Sequence, residues 1–376
     1  MTLINYLTRI HFGDDILEAA LWDELERNRV RRPLVIASSE TLNSLIGERL
    51  LSGFPVRTDF ETLSSFPAIP TEADARRIAD RYSDTGRDHL ISFGSAAATN
   101  LAKAVRILIG HRKPLASLAL PDAGAKRPAL ALPDHYAIPA DIDLASAIGG
   151  TVRVSKEAGG VAEIESDLLI PTVTICDPTL TLDTEAGAMA SAGAAVFARC
   201  LEAFLSRGYN PPADGIALDG VVRAVANLHR AVREDGLAPR REMMAAGLNC
   251  ALAQQKGFGL AHAMARALAP GAQEQPDAGA INRLVLPGVL RFIEETERQR
   301  FAPLRHILGV GAPDSLANSV HRFLENLPLP GRLAEMGIGE QHMERAAERA
   351  AQDRAAQNAP RTADPDDILS IMRSVQ

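Results

Sequence analysis

The chain is poor in aromatic residues, poor in cysteine and without an excess of basic charge. Aromatic residues make up 4% of its 376 residues, with a single tryptophan. The three cysteines, Cys176, Cys200 and Cys250, are far apart in apolar surroundings. That number and spacing fit neither a disulfide framework nor a zinc knuckle, and point to a reducing cytoplasm. The balance of 40 Lys and Arg against 47 Asp and Glu, net −7, excludes nucleic acid as the main partner, since phosphate binding needs a concentrated basic surface. The cluster Arg27, Arg29, Arg31 and Arg32 reads as a solvated helix end. No charged-then-apolar leader opens the sequence, and no run is expected to reach the length of a membrane span. What remains, 46% hydrophobic and 23% charged, is the composition of a globular protein.

A chain of this length exceeds one ordinary core and predicts two domains. In the first part short apolar runs alternate with helical patterns. Pro33–Ser39 reads as a buried strand turning into a helix near Ser44–Leu51. His89–Gly94 is a second strand, running into a helix over Ala96–Ile109 whose apolar residues recur at helical spacing. Such alternation implies a parallel sheet covered by helices. A last strand, Thr172–Cys176, ends at Asp177-Pro178, and almost everything beyond reads as helix. Asp214 is the expected cap of one helix, and Met243–Leu268 reads as a long helix interrupted by Gly257 and Gly259. The expected division is an α/β Rossmann-like domain over 1–165 and an all-α domain over 166–376, with the cleft between them as the default ligand site.

Five landmarks in order carry a resemblance. They are His11-Phe12-Gly13; Leu168–Pro171 through Asp177-Pro178-Thr179-Leu180-Thr181; Gly257-Phe258-Gly259-Leu260-Ala261-His262; Asn282–Pro287; and Asn358-Ala359-Pro360-Arg361. Together with Gly193 and Glu202-Ala203-Phe204 they resemble the iron-containing alcohol dehydrogenase superfamily, which includes maleylacetate reductases, glycerol dehydrogenases and dehydroquinate synthases. The resemblance spans nearly the whole chain and implies that superfamily's fold.

The functional motifs depart from the pattern. The resemblance implies a Gly-Gly-Gly-Ser turn that holds a dinucleotide pyrophosphate, followed by Asp and Lys on the helix. Here the stretch is Gly94-Ser95-Ala96-Ala97-Ala98-Thr99-Asn100, with the lysine kept as Lys103. The second nucleotide loop aligns with Ala140–Ala147 and keeps only Ser146, while Asp141 and Asp143 would repel a phosphate unless they point away. Ser38 stands where an Asp often accepts ribose hydroxyls, which leaves room for NADP beside NAD. The implied cofactor residues are therefore Ser38, Gly94, Ser95, Ala96, Lys103 and Ser146. At the implied metal ligands, one Asp and three His, stand Ala195, Arg199, His262 and Ala278, and the implied proton-relay His is Arg266. One imidazole beside two guanidinium groups is not a transition-metal site, so no metal is expected.

Two readings of function stand. In the first, the chain is a metal-independent NAD(P)-dependent reductase of a small acidic carbonyl compound, similar to maleylacetate reductases. Arg199 and Arg266 grip the anion and His262, one helical turn from Arg266, donates the proton. In the second, it is a catalytically inactive paralogue serving as a binding or assembly subunit beside an active homologue. The resemblance implies a homodimer or a hetero-oligomer with such a homologue, without membrane or nucleic-acid partners. Arg199 paired with Glu202, Arg266 paired with Asp277 and His262 as a core histidine form the structural alternative to the site.

Overall fold

In the run Pro33–Ile36, Leu34 and Ile36 pack into one apolar cluster and Val35 into another. His89–Gly94 divides likewise, with Leu90 on one side and Ile91 and Phe93 on the other. Side chains alternate across a strand, so these strands are apolar on both faces and need cover on both. The computed structural model describes all residues except 1–3, 5–7, 68, 111–114, 116–131, 156–160, 270–276, 295, 297 and 312–313.

The strands are β1 (Arg9–Phe12), β2 (Pro33–Ile36), β3 (Glu61–Leu63), β4 (His89–Gly94), β5 (His135–Pro139), β6 (Thr151–Ser155), β7 (Val161–Glu165) and β8 (Val173–Cys176). Six of them form one sheet in the order β1-β8-β5-β4-β2-β3, with every pairing parallel. β6 and β7 form a separate antiparallel pair. Helices Glu72–Asp84 and Ala96–Gly110 cover one face of the sheet, and Leu17–Arg27 and Leu45–Ser52 cover the other.

The chain divides into one compact unit that ends at Thr181 and a second that begins at Leu182. The expected boundary at 165/166 falls too early. β8 lies beyond it and belongs to the first sheet, hydrogen-bonded between β1 and β5. The helical unit includes Ala186–Leu205, Pro211–Arg233, Leu237–Ala253, Leu260–Leu268 and Ala278–Ile293. Ala186–Leu205 is long and apolar enough to cross a membrane by length and composition, contrary to expectation, but most of it is buried inside the protein. Its eight alanines, with buried Val196, Phe197, Leu201, Phe204 and Leu205, supply its apolar character.

Caps depart from the sequence reading in an instructive way. Helix Pro211–Arg233 is capped by Asn210, whose side chain accepts the Ala213 N–H at 3.2 Å. Asp214 instead sits inside the first turn and binds Lys256 and Arg300. Helix Leu17–Arg27 has no cap of its own. The Asp177 carboxylate, over 150 residues away in sequence, accepts the N–H groups of Asp15, Ile16 and Leu17 at 2.9–3.1 Å. Burial raises the Asp177 pKa. Hydrogen bonds from Thr179, Leu17 and Asp15 outweigh it and hold the group below its ordinary value. The Asp-Pro landmark is thus a tertiary helix cap, which satisfies donors that a helix start leaves open.

Candidate functional site

In the first unit, β3 and β4 lie on opposite sides of β2. The connections therefore diverge at the carboxyl ends of β2 and β4, and such a switch point leaves a crevice where α/β sheets bind ligands. Ser38 follows β2, and Ser95 and Ala96 follow Gly94 at the end of β4. Gly94 has φ +91°, and a Cβ there would lie 3.0 Å from Thr41 Cγ2. Both facts demand glycine. Ser95 and Ala96 are exposed at the start of the 15-residue helix Ala96–Gly110, whose first N–H groups have no partner within the helix. Ser38 caps a short helical turn, accepting the Thr41 N–H at 3.1 Å. This backbone fits a pyrophosphate.

Lys103 and Ser146 do something other than expected. Lys103 is fully buried, and its Nζ donates to the carbonyl oxygens of Ser146 at 2.6 Å, Gly149 at 2.7 Å and Thr151 at 3.1 Å. Burial pushes its pKa down to about 7. The lysine fastens the loop before β6 to the nucleotide helix, and Ser146 takes part through its backbone. Asp141 and Asp143 serve their own turn, accepting the N–H groups of Asp143 at 3.1 Å and Ala145 at 3.2 Å.

In the helical unit, three helices bring the four implied ligand positions together. Ala195 and Arg199 lie one turn apart on Ala186–Leu205. Asp277 caps Ala278–Ile293, accepting the Gly279 N–H at 2.8 Å, and also binds the Ser191 hydroxyl one turn before Ala195. His262 lies in the first turn of Leu260–Leu268. That first turn is held by Glu202, which accepts the Ala261 N–H at 2.6 Å and the His262 N–H at 3.0 Å. A Cβ on Gly259 would stand 2.8 Å from Glu202 Oε1, so only glycine lets the carboxylate in. Burial pushes the Glu202 pKa up to about 7. The N–H groups of Ala261, His262 and Gly259 and the charge of Arg199 oppose that rise.

Arg199 is only 6% exposed. Its Nε donates to Ala195 O at 3.1 Å, and its guanidinium carbon lies 5.8 Å from the centroid of the Phe258 ring. Phe258 packs in turn on the His262 ring at 4.8 Å. A guanidinium so enclosed is poorly placed to grip a substrate from solvent, the role expected of it. Arg266 is half-buried, with Nε 3.5 Å from Asp353 Oδ2, where Asp277 was the expected partner. Sequence reasoning missed Phe258 and Asp353. An aromatic residue between two glycines was the available signal for Phe258, whereas Asp353 gave none.

The remaining landmarks are frame. Asn358 Nδ2 donates to the Lys256 and Phe258 carbonyls, both at 3.1 Å. Arg361 donates to Phe292 O and stacks on that ring with its guanidinium carbon 4.0 Å from the centroid.

Iron does not fit the positions the resemblance implies for it. The donor set is one imidazole, with alanine at two positions and a guanidinium at the third. A different group of acids, Asp15, Glu18 and Asp177, gathers three carboxylates in the first unit. Arg49 binds all three, donating to Asp15 at 2.9 Å, Glu18 at 2.6 Å and Asp177 at 3.1 Å. A guanidinium is thus the cation of that cluster.

A parallel nucleotide-type sheet followed by a helical unit defines the class of fold. Residues 8–178 match the profile of iron-containing alcohol dehydrogenase, and residues 189–376 match the Fe-containing alcohol dehydrogenase family, C-terminal. The chain belongs to the iron-containing alcohol dehydrogenase family, and its descent is that of an oxidoreductase. It is 32% identical to the 4-hydroxybutyrate dehydrogenase of Cupriavidus necator over 383 residues, 99% of each chain. Among solved structures it resembles a 1,3-propanediol oxidoreductase, with TM-score 0.91 and 21% identity over 100% of both chains. It also resembles the sulfoacetaldehyde reductase of Bifidobacterium kashiwanohense in complex with NAD+. There the TM-score is 0.88 and the identity 19%, over 100% of this chain and 98% of that one. At such identities these two likenesses establish the fold.

Proposed function

We propose that this chain is an NAD(P)-dependent oxidoreductase of a small carbonyl or hydroxy compound bearing an acidic group, and that it works without a resident metal ion. The observation that carries the reading is the full-length identity to a dehydrogenase of 4-hydroxybutyrate, a hydroxy acid. The nicotinamide supplies or accepts hydride at the carbonyl carbon. Gly94, Ser95 and Ala96 would hold its pyrophosphate with backbone N–H groups, and Ser38 would face its ribose. Lys103 and Ser146 would hold the adjoining loop in shape. His262 and Arg266, one turn apart on a single helix face, divide the substrate chemistry. Arg266 offers a permanent cation to the acid group, and His262 gives a proton to the carbonyl oxygen as it becomes an alcohol. Arg199 enters as a fixed charge behind Phe258. We place the protein in the cytoplasm, as a homodimer or beside a homologous subunit.

Fluorescence titration with NADH and NADPH tests this directly. Binding of either, with turnover of a 4-carbon hydroxy acid that survives chelator and falls in Arg266→Ala mainly through KM, supports it. Absence of binding at millimolar cofactor sinks it. That result would favour the second reading, an inactive assembly subunit, to which the replaced glycines and ligands already lend support.

A further inference from the structure

Buried charge in the helical unit follows a pattern that the redox reading does not explain. Glu202 accepts N–H groups at a helix start, and it is only 4% exposed. A buried carboxylate is costly unless hydrogen bonds and an opposite charge compensate it. The hydrogen bonds come from Ala261 and His262. Arg199, three residues earlier on the same helix and itself buried, places an opposite charge on the neighbouring helix face. Arg199 occupies one of the four positions that the family resemblance assigns to metal ligands, and Ala195, the carbonyl partner of its Nε, occupies another.

We propose that Arg199 is a covalently attached substitute for the family's metal ion. Its guanidinium supplies, from within helix Ala186–Leu205, the positive charge that the three converging helices would otherwise take from a cation. Through Phe258 and Glu202 it fixes the turn that carries His262. The exchange is compensated at the level of side chains. Removing the acidic ligand at 195 avoids an extra buried negative charge, and alanine leaves the backbone carbonyl there to receive the Arg199 Nε. Arg199 is therefore a positioning residue, and its effect reaches His262 through the Phe258 ring and the Glu202 carboxylate. The exchange holds whether or not the chain turns over a substrate.

The test exchanges the two kinds of cation. The full-length chain and its variant Ala195→Asp/Arg199→His/Ala278→His are loaded with zinc, desalted and assayed for bound metal and melting temperature. The wild type should retain only traces, with a midpoint indifferent to zinc or chelator. The variant should retain about one zinc per chain and gain roughly 3 °C or more with zinc. A full equivalent of zinc on the wild type, or no more zinc on a folded variant than on the wild type, overturns the proposal. Should the triple variant fail to fold, a second series decides. Arg199→Met should lower the midpoint clearly, Arg199→Lys should recover at least half of the loss, and Arg199→Met should cost much less in a Glu202→Gln background. Equal losses for Met and Lys, or additive losses with Glu202→Gln, would mean that shape and not charge is what the position supplies.

Discussion

The turn after β4 in the first unit and helix Ala186–Leu205 in the second both depart from the side chains that the family resemblance implies, with different consequences. At Gly94-Ser95-Ala96 the feature that matters is backbone, a positive φ followed by the first N–H groups of a helix, with the Ala98 N–H held by the Ser95 hydroxyl at 3.3 Å. Replacing glycine by serine or alanine beyond Gly94 leaves those donors in place. At Ala195, Arg199 and Ala278 the resemblance implies side-chain donor atoms, and these residues offer none to a metal. A site made of backbone tolerates sequence change, and a site made of side chains does not. Residues that keep the family pattern elsewhere in the chain, Lys103, Asp177, Glu202 and Asn358, all hold backbone in place.

On that contrast the largest losses come from the frame. Lys103→Met leaves three buried carbonyls without a donor and should cost about 3–5 kcal/mol in denaturant unfolding. A loss below about 1 kcal/mol would mean that water replaces the ammonium and that the loop does not depend on it. Next, Asp177→Ala uncovers the N–H groups at the start of Leu17–Arg27 and removes one of the three acids around Arg49. It should cost about 2 kcal/mol, read as a lower melting temperature.

Gly94→Ala and Ser95→Ala sharpen the comparison within one turn. The first forces a side chain into φ +91° against Thr41 and should cost about 1–2 kcal/mol while abolishing dinucleotide fluorescence enhancement. The second removes the hydroxyl that accepts the Ala98 N–H at 3.3 Å, should cost about 0.5–1 kcal/mol and should leave binding within a factor of about two. Equal effects from both would show that the serine hydroxyl, and not the backbone, makes the site.

A pH slope tests the frame of the second unit without removing a side chain. Glu202 has a folded-state pKa raised to about 7 from 4.5. The unfolded chain therefore loses this proton at lower pH than the folded chain does. Between pH 4.5 and 7 stability falls as pH rises, then levels off. Glu202→Gln should flatten that part of the stability profile, and an unchanged slope would assign it to other groups.

Much of the first unit was legible because its signals are local. The apolar strands at 33–36, 89–94 and 173–176 and the helix after Gly94 all carry their period in the sequence. The domain boundary was not, since β8 reads like any last strand and only its hydrogen bonds to β1 and β5 assign it to the first sheet. The cap of Pro211–Arg233 was misplaced by four residues because Asn210 and Asp214 are chemically equivalent caps, and Asp214 was claimed by Lys256 and Arg300. At the candidate site, sequence order picked out the four positions that the resemblance assigns to ligands but could not state burial. Arg199 looked like a hand extended to substrate, and the fold encloses it.

By itself the sequence determined the strands and helices of strongest period and the family, because periodicity and motif spacing are written along the chain. Tertiary structure alone decided which charges meet: Lys103 with three carbonyls, Arg49 with three acids, Glu202 with the turn of His262 and Arg199 behind Phe258. Those partners lie on separate elements, and what a charged group does depends on its neighbours in space and on how far they shut out water.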